Sequence, residues 1–377
     1  MEVRIGDSIE CNPTVKLVKG NEYPLIDIDK ITVGRKLVTN KDTIVYEKQS
    51  GCKFQNGDTL MARITPCLEN GKMAMASIPD KGIGSTELFV FRGKKGITDN
   101  DFVYYFLKQS YIRNLAANSM TGASGRQRAD LKFIKKIKFN LPTLPIQQKI
   151  ASTLSAYDRL IENNTRRIRL LEQMAENIYK EWFVRFRFPE HEKVEMVNGL
   201  PKGWKIKRYE EELNIRYGKG LSTEQLKEEG YPVFGSNGQI GFYDSYMYDN
   251  PQILISCRGA SSGIVNISLP KSFITSNSLI CERTEKTESL YEYLKYYFLN
   301  NNLVQYQTGS AQPQITINNI VKLKLLVPEL KVQRSFSEKI RVIDMEIYNL
   351  QSQIQLLTRQ RDLLLPRLMS GKLEVKS

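Results

Sequence analysis

What most restricts how these 377 residues can fold is that the chain repeats itself. Displaced by 186 positions, a 40-residue helical segment near the middle falls on another at the C-terminus, heptad position on heptad position. The first apolar seam reads Ile150, Leu154, Tyr157, Ile161, Asn164, Ile168, Leu171, Ala175, Ile178 and Trp182. Its copy reads Phe336, Ile340, Ile343, Ile347, Leu350, Ile354, Leu357, Arg361, Leu364 and Leu368. Apolar residues recurring every 3.5 positions over several heptads need a facing helix, because a lone stripe of that length would stay in water. The obvious facing helix is the other copy.

The duplication reaches upstream of both seams. Ile137–Pro142 matches Leu323–Pro328, a strand closed by a proline turn that feeds each helix. Thr121-Gly122 pairs with Thr308-Gly309, and the run Tyr104-Tyr105-Phe106-Leu107 with Tyr296-Tyr297-Phe298-Leu299. Asp58–Arg63 parallels Ile253–Arg258, and Gly84–Glu87 parallels Thr275–Ser278, at offsets that drift as loop insertions would make them. Short apolar runs such as Pro24–Ile28, Leu88–Phe91 and Gln252–Ser256 read as strands, and Asn56-Gly57, Asn70-Gly71 and Asn237-Gly238 supply turns. A tyrosine-rich helix is predicted late in each half, over Asp99–Ala117 and Leu290–Tyr306. The expected fold is α+β: globular domains at 1–142 and 188–328, and helical spacers at 143–187 and 329–377 that pair as an antiparallel coiled coil.

A chain of this length has room for two ordinary cores. Its five cysteines are odd in number, far apart and free of any CxxC pair, which argues against a disulfide framework or a zinc site and for a reducing cytoplasm. The start Met1–Ile5 lacks a signal-peptide core, and no stretch approaches the roughly 20 apolar residues of a membrane span. A soluble, cytoplasmic protein is expected. Net charge is +14, which makes a polyanion a natural partner, nucleic acid first among them. The excess lies early: residues 1–142 hold 23 basic and 15 acidic side chains, whereas residues 188–328 hold 15 of each.

Catalytic chemistry is hard to build from these residues. His191 is the sole histidine and sits between Glu190 and Glu192 in a linker-like stretch, so neither a serine triad nor a histidine metal cluster is expected. Gly218-Lys219-Gly220 lacks the spacing of a phosphate-binding loop. The Asn/Asp-Pro-Pro-aromatic cluster with which amino-methyltransferases hold a target amine is missing. A binding protein without its own active site and without a metal or cofactor is expected.

Binding chemistry falls instead on residues that recur between the halves. Arg63 and Arg258 follow matching strands, and each could present a bidentate fork to phosphate or a guanine edge; a salt bridge within the domain is the alternative. Loop tips at corresponding places differ: Ser85, Thr86 and Glu87 against Ser276, Asn277 and Ser278, and Arg126, Gln127 and Arg128 against Gln312, Pro313 and Gln314. One scaffold with two sets of polar tips is what two readers of different base sequences would show. Thr65 and Lys219 complete the candidate DNA contacts.

Two variable domains alternating with two similar helices, the phrase Met61–Lys72, the Gly84–Glu87 turn, and Leu141-Pro142 ahead of Gln147-Gln148-Lys149-Ile150 resemble the specificity subunit of type I restriction-modification systems. The opening Leu200-Pro201-Lys202-Gly203-Trp204 is similar to the usual start of its domains, whereas the first half begins at Met1 without that phrase. The resemblance implies a non-catalytic subunit that recognises a split, asymmetric site in double-stranded DNA. It also implies two partner methylation subunits, motor-nuclease subunits joining through the complex, and S-adenosylmethionine, ATP and magnesium held by those partners.

At 1.5 Å per residue a 40-residue segment spans ~60 Å, against about 34 Å for one DNA turn, so the helices are expected to act as a ruler between half-sites. Asn164 and Arg361 occupy seam positions, where they either fix register or mark a place where the helices diverge and water enters. Pro366 is expected to interrupt the last turns and leave Leu368 beyond the paired stretch. Two rivals remain on sequence alone: an interaction protein whose coiled coil is the working surface, and a fused methyltransferase, for which the chain leaves no nucleotide-binding domain.

Overall fold

The computed structural model describes residues 1–39, 42–123, 125–309 and 312–373. Two helices dominate, Leu144–Tyr179, continued by a π-helical turn at Lys180–Val184, and Leu330–Met369. The chain forms two compact units, Met1–Arg167 with Leu350–Ser377, and Ile168–Asn349. Each unit thus holds one globular part and a stretch of both long helices. In the first unit Asp158 meets Arg361 and Asn164 meets Gln353, so rising numbers on one helix match falling numbers on the other: the stretches are antiparallel. In the second, the rings of Tyr179 and Trp182 lie against Phe336, and Leu171 and Ile347 pack on the same core. Among the described residues no helix is long and apolar enough to cross a membrane.

The globular part of the first unit is three layers thick. Its main sheet runs Ile9–Cys11, Leu88–Gly93, Thr59–Ala62, Met73–Ala76, Leu37–Val38, and a second sheet runs Thr43–Val45, Glu22–Ile26, Lys81–Gly84, Cys52–Gln55. Side chains alternate across a strand, so the main sheet serves two cores. Met61, Met73, Met75, Phe89 and Phe91 face helices Asn100–Lys108 and Ser110–Asn118 and the ends of the long helices; Leu60, Ala74, Ala76, Leu88 and Val90 face the second sheet. The second unit repeats this with Leu213–Tyr217, Ser278–Arg283, Ile253–Ser256 and Val265–Ile267, and a smaller sheet of Gly238–Tyr243, Tyr231–Gly235 and Phe273–Ile274. Even the parallel pairing inside the smaller sheet recurs: Leu25 and Ile26 beside Ile83 and Gly84, and Val233 and Phe234 beside Phe273 and Ile274. The strand before each long helix, Lys138–Asn140 or Lys324–Val327, pairs antiparallel with Glu2–Arg4 or Lys205–Arg208 of its own unit.

The tyrosine-rich helix differs from expectation. It breaks at Gln109, whose backbone is extended and whose side-chain amide donates to the Phe106 carbonyl at 3.1 Å, capping the first piece before Ser110–Asn118 begins. Its counterpart is Tyr291–Asn300 followed by a short 3-10 turn at Val304–Tyr306. The correspondence also shifts by one residue. The Tyr105 hydroxyl donates to Asp158 and the Tyr296 hydroxyl to Asp344 at 3.1 Å, and Asp344 is Asp158 displaced by 186. Tyr296 therefore answers Tyr105, and Tyr104 answers Lys295. The doubled tyrosine in each copy offers two registers to the eye, and only the hydroxyl partners choose between them.

Every residue of the core seam, Ile150, Leu154, Ile161, Ile168, Leu171, Ile178, Phe336, Ile340, Ile347, Ile354, Leu357 and Leu364, is buried or half-buried. Near the C-terminal end of both helices one seam step moves a residue on: Tyr179 is more buried than Ile178, and Leu365 than Leu364. A straight helix drifts about 20° per heptad against a 3.5-residue repeat, which turns the next residue inward. Pro366 does not end the second helix: Leu365 and Leu368 are both buried in the first unit's core, and burial of about 1.5–3 kcal/mol each offsets the ~3 kcal/mol penalty of an internal proline. Asn198-Gly199, both at positive φ, turn the hairpin that brings Trp204 onto Phe183, Phe186 and Phe188. His191 lies in the same link, its Nδ1 2.8 Å from the Phe188 carbonyl oxygen.

The two polar seam residues are dry and partnered. Arg361 binds Asp158 across the helix pair, and the position 186 residues before Arg361 is Ala175. The second unit has no arginine there and answers Asp344 with Lys295 at 2.7 Å. Asn164 is 5% exposed and donates to Gln353 at 3.1 Å. Gln353 is itself exposed and can exchange this bond for water, so Asn164→Leu is expected to stabilise the first unit by about 1 kcal/mol. A melting temperature that stays the same or falls would show that the hydrogen bond outweighs the added apolar contact.

Candidate nucleic-acid interface

The central strand of the first unit, Thr59–Ala62, leaves the sheet at Arg63 and is held there by two loops. The Arg63 amide donates to the Glu87 carbonyl at 3.0 Å, Ala129 donates to the Arg63 carbonyl at 2.8 Å, and Thr65 donates to the Gln127 carbonyl at 3.0 Å. Thr121 and Arg128 exchange a backbone pair at 3.1 and 3.0 Å, closing the second loop. The second unit uses the same scheme. Cys257 donates to the Asn277 carbonyl at 3.0 Å, Ile315 to the Cys257 carbonyl at 3.0 Å and Gly259 to the Pro313 carbonyl at 3.0 Å, while Thr308 and Gln314 exchange a pair at 2.9 Å. Lys219 joins from its own strand end, donating to Ile274 and accepting from Ser276, both at 2.9 Å.

The sequence-predicted residues therefore gather into two clusters, one per unit. Arg63, Thr65, Ser85, Thr86, Glu87, Arg126 and Arg128 share the first; Lys219, Arg258, Ser276, Asn277, Gln312 and Gln314 share the second. Thr86, Arg126, Arg128, Lys219, Arg258, Asn277, Gln312 and Gln314 are exposed, and the rest are half-buried. Two have local structural work: the Ser85 hydroxyl accepts from the Glu87 amide at 3.1 Å, and the Thr65 hydroxyl donates to the Met120 sulfur at 3.3 Å.

The matching of the two arginines needs correction. The hydrogen-bond scheme aligns Arg63 with Cys257 and Ile64 with Arg258, and Glu87 with Asn277. A one-residue shift on an extended chain turns a side chain to the opposite face. Arg63 accordingly lies on the helix-facing side with its guanidinium 5.0 Å from the Phe89 ring centroid, where the second unit buries Cys257, while Arg258 is exposed. Arg63 stacks on an aromatic ring in place of the salt bridge considered from sequence, and its Nε is buried without a hydrogen-bond partner among the described residues. The shared terminal arginine was a false anchor.

Charge differs between the clusters. Arg128 grips Glu87 through Nε at 2.9 Å and Nη2 at 2.5 Å, which holds the Glu87 carboxyl below its ordinary value. That ion pair contributes above the usual carboxylate range and is lost only as pH falls through the depressed value. Beside it a concavity of about 590 Å³ is lined by Asn12, Arg63, Phe89, Arg128, Lys132 and Lys135. The two lysines were missed as candidates, although the run Lys132, Lys135, Lys136, Lys138 was visible as a basic stretch. The second cluster presents amides and hydroxyls beside the exposed Lys219 and Arg258, and it recruits the turn Ser236-Asn237: Ser261 bonds Asn237, and Asn266 donates to the Ser236 carbonyl at 3.4 Å.

Comparison with known proteins agrees with this duplicated architecture. A family model described as the type I restriction modification DNA specificity domain matches residues 2–173 and again 201–358. The specificity subunit of the type I restriction enzyme MjaVIII of Methanocaldococcus jannaschii is 24% identical over 415 aligned positions, covering 100% of this chain and 93% of that one. The MjaIX specificity subunit of the same organism is 25% identical, covering 75% of this chain and 71% of its own. The crystal structure of the type I restriction-modification S subunit from M. genitalium shares the fold, with a TM-score of 0.58 at 19% identity over 98% of this chain and 96% of that one. With two matched domains laid on two copies of one loop scaffold, the chain belongs to the type I restriction-modification DNA specificity family, a non-catalytic DNA-recognition subunit.

Proposed function

We propose that each globular part reads one half of a bipartite, asymmetric duplex site. The observation that supports this is one backbone hydrogen-bond scheme presenting unlike side chains. Around the first loop cluster, the exposed Arg126 and Arg128 offer forks suited to guanine N7 and O6 or to phosphate, and Glu87, paired with Arg128 when DNA is absent, an acceptor for cytosine N4; Arg63, stacked on Phe89, backs the cluster. In the second, Asn277, Gln312 and Gln314 offer paired donor and acceptor groups suited to adenine. Two unlike clusters on like scaffolds call for two unlike half-sites. The basic excess of the first half supplies sequence-independent phosphate attraction.

In this reading the paired helices set the gap between half-sites and carry the surfaces that recruit two methylation subunits, through which motor-nuclease subunits join for cleavage. S-adenosylmethionine, ATP and magnesium belong to those partners, and the complex works in the cytoplasm. Selection from a randomised duplex library, with this chain assembled with the methylation subunits encoded beside it, is expected to return a two-part, gapped consensus. Weak, unpatterned binding that vanishes with rising salt would overturn the reading. Inserting one heptad into each long helix is expected to lengthen the gap and leave both half-sites unchanged; an unchanged gap would refute the ruler.

A further inference from the structure

We propose that a cavity in the first unit, walled by the globular part and the end of the second long helix, binds a small organic anion: a carboxylate or phosphate head on an apolar body. The cavity holds about 430 Å³, with Met61, Leu68, Met73 and Leu365 among its apolar walls; its charged lining is Lys72, Lys108, Arg113 and Arg361, with Asp362 the one carboxylate among the described lining residues. That volume and lining suit a small-molecule site.

The head group is argued from unmet charge. The Lys108 ammonium nitrogen is out of water and has no hydrogen-bond partner among the described residues; it stands over the Tyr104 ring, 5.6 Å from the centroid. The carboxylates around it are already taken. Asp158 is held by Arg361 and Tyr105, Asp362 by the Arg361 Nε and Nη2 at 2.9 Å, and Asp101 by Lys36. Buried polar groups are almost always paired, and an unpaired cation costs more than an unpaired neutral group. Burial, aided by the positive charges of Arg361 and Lys36 against Asp158 and Asp362, pulls the Lys108 ammonium down to about 8. A bound anion would raise it.

Arg113 supplies a second cation. Among the described residues no carboxylate lies within ion-pair distance of it, and its guanidinium fills the space a side chain on Gly71 would take, 2.8 Å from that Cβ position. Gly71 stands at φ +74°, so the turn Asn70-Gly71 both needs glycine and makes room for the arginine. None of this recurs in the second unit, where the residue answering Lys108 is Leu299 and the one answering Arg361 is Ala175. The site is particular to the first half of the duplication.

Pyridoxal 5′-phosphate is a suitable probe because its aldehyde condenses with an unprotonated amine to an imine, releasing water, and borohydride then reduces the imine to a stable secondary amine. On the full chain, peptide mass spectrometry is expected to find Lys108 labelled about tenfold faster than the surface lysines, with a rate that rises with pH through about 8. Phenyl phosphate should protect Lys108 from labelling. Arg113→Met should raise the phenyl phosphate concentration needed for half-protection about tenfold, the weight of one charge-assisted contact, at an unchanged melting temperature. Phenyl phosphate should also raise the melting temperature of the native chain and leave that of Lys108→Met unmoved. Labelling spread evenly over the lysines, or label on Lys108 that phenyl phosphate does not reduce, would overturn the proposal.

Discussion

Arg361→Ala is expected to destabilise the first unit by about 3–5 kcal/mol, because it leaves Asp158 charged and dry in the helix seam. Arg361 is 2% exposed and Asp158 6%, so water cannot take over the lost bonds without opening the helix pair. The Tyr105 hydroxyl still donates to Asp158, which keeps the cost from the extreme. For a unit of this size such a loss corresponds to a fall of roughly 10 °C in melting temperature. The double variant Asp158→Leu with Arg361→Met should recover most of it, since removing both charges removes the desolvation penalty as well. Thermal unfolding of the three proteins decides the matter: a single variant that melts within about 2 °C of the parent would mean that Asp158 finds another partner.

Gln147→Leu should be nearly as damaging, by about 3–5 kcal/mol, although glutamine and leucine are similar in size. The Gln147 side chain is fully buried at the start of the first long helix and bonds three backbone groups: it accepts from the Asp99 amide at 3.0 Å and donates to the Ile97 and Pro142 carbonyls, each at 2.9 Å. Gln333, 186 residues on, accepts from the Leu290 amide and donates to the Pro328 carbonyl, both at 2.7 Å, so Gln333→Leu is expected to cost the second unit somewhat less. Gln147→Glu is the sharper test. It keeps the acceptor for Asp99 and sets an oxygen against two carbonyls, so urea unfolding should place it close to Leu. A glutamate variant as stable as the parent would show that the donated bonds carry no weight.

These two glutamines illustrate what was legible before the fold was known. Both stand at one offset in the sequence, five residues after a proline, yet nothing local distinguishes a glutamine that clamps a helix to a sheet from one that faces water. The 186-residue repeat, the two long helices and their antiparallel pairing could be read because a 3.5-residue apolar period is a property of neighbours along the chain. The three loops of each candidate interface were also found, since turn residues and strand ends announce themselves locally.

The misplaced matches were all matters of register. Arg63 against Arg258, Tyr104 against Tyr296, and the 84–87 turn against 275–278 each slipped by one residue, because similar letters stood one place away from the true counterpart. Backbone hydrogen bonds between segments far apart settle that choice, and on an extended strand a single step exchanges the buried face for the exposed one. Partnership was equally hidden. Asp158 and Arg361 are 203 residues apart, and Lys108 is unusual only for the acceptors it lacks. The sequence by itself determined the duplication, the helix period, the absence of catalytic motifs and the family. Tertiary structure alone decided which polar residues are buried and who answers them, since the free energy of a buried charge depends on its spatial neighbours and on the water excluded around it.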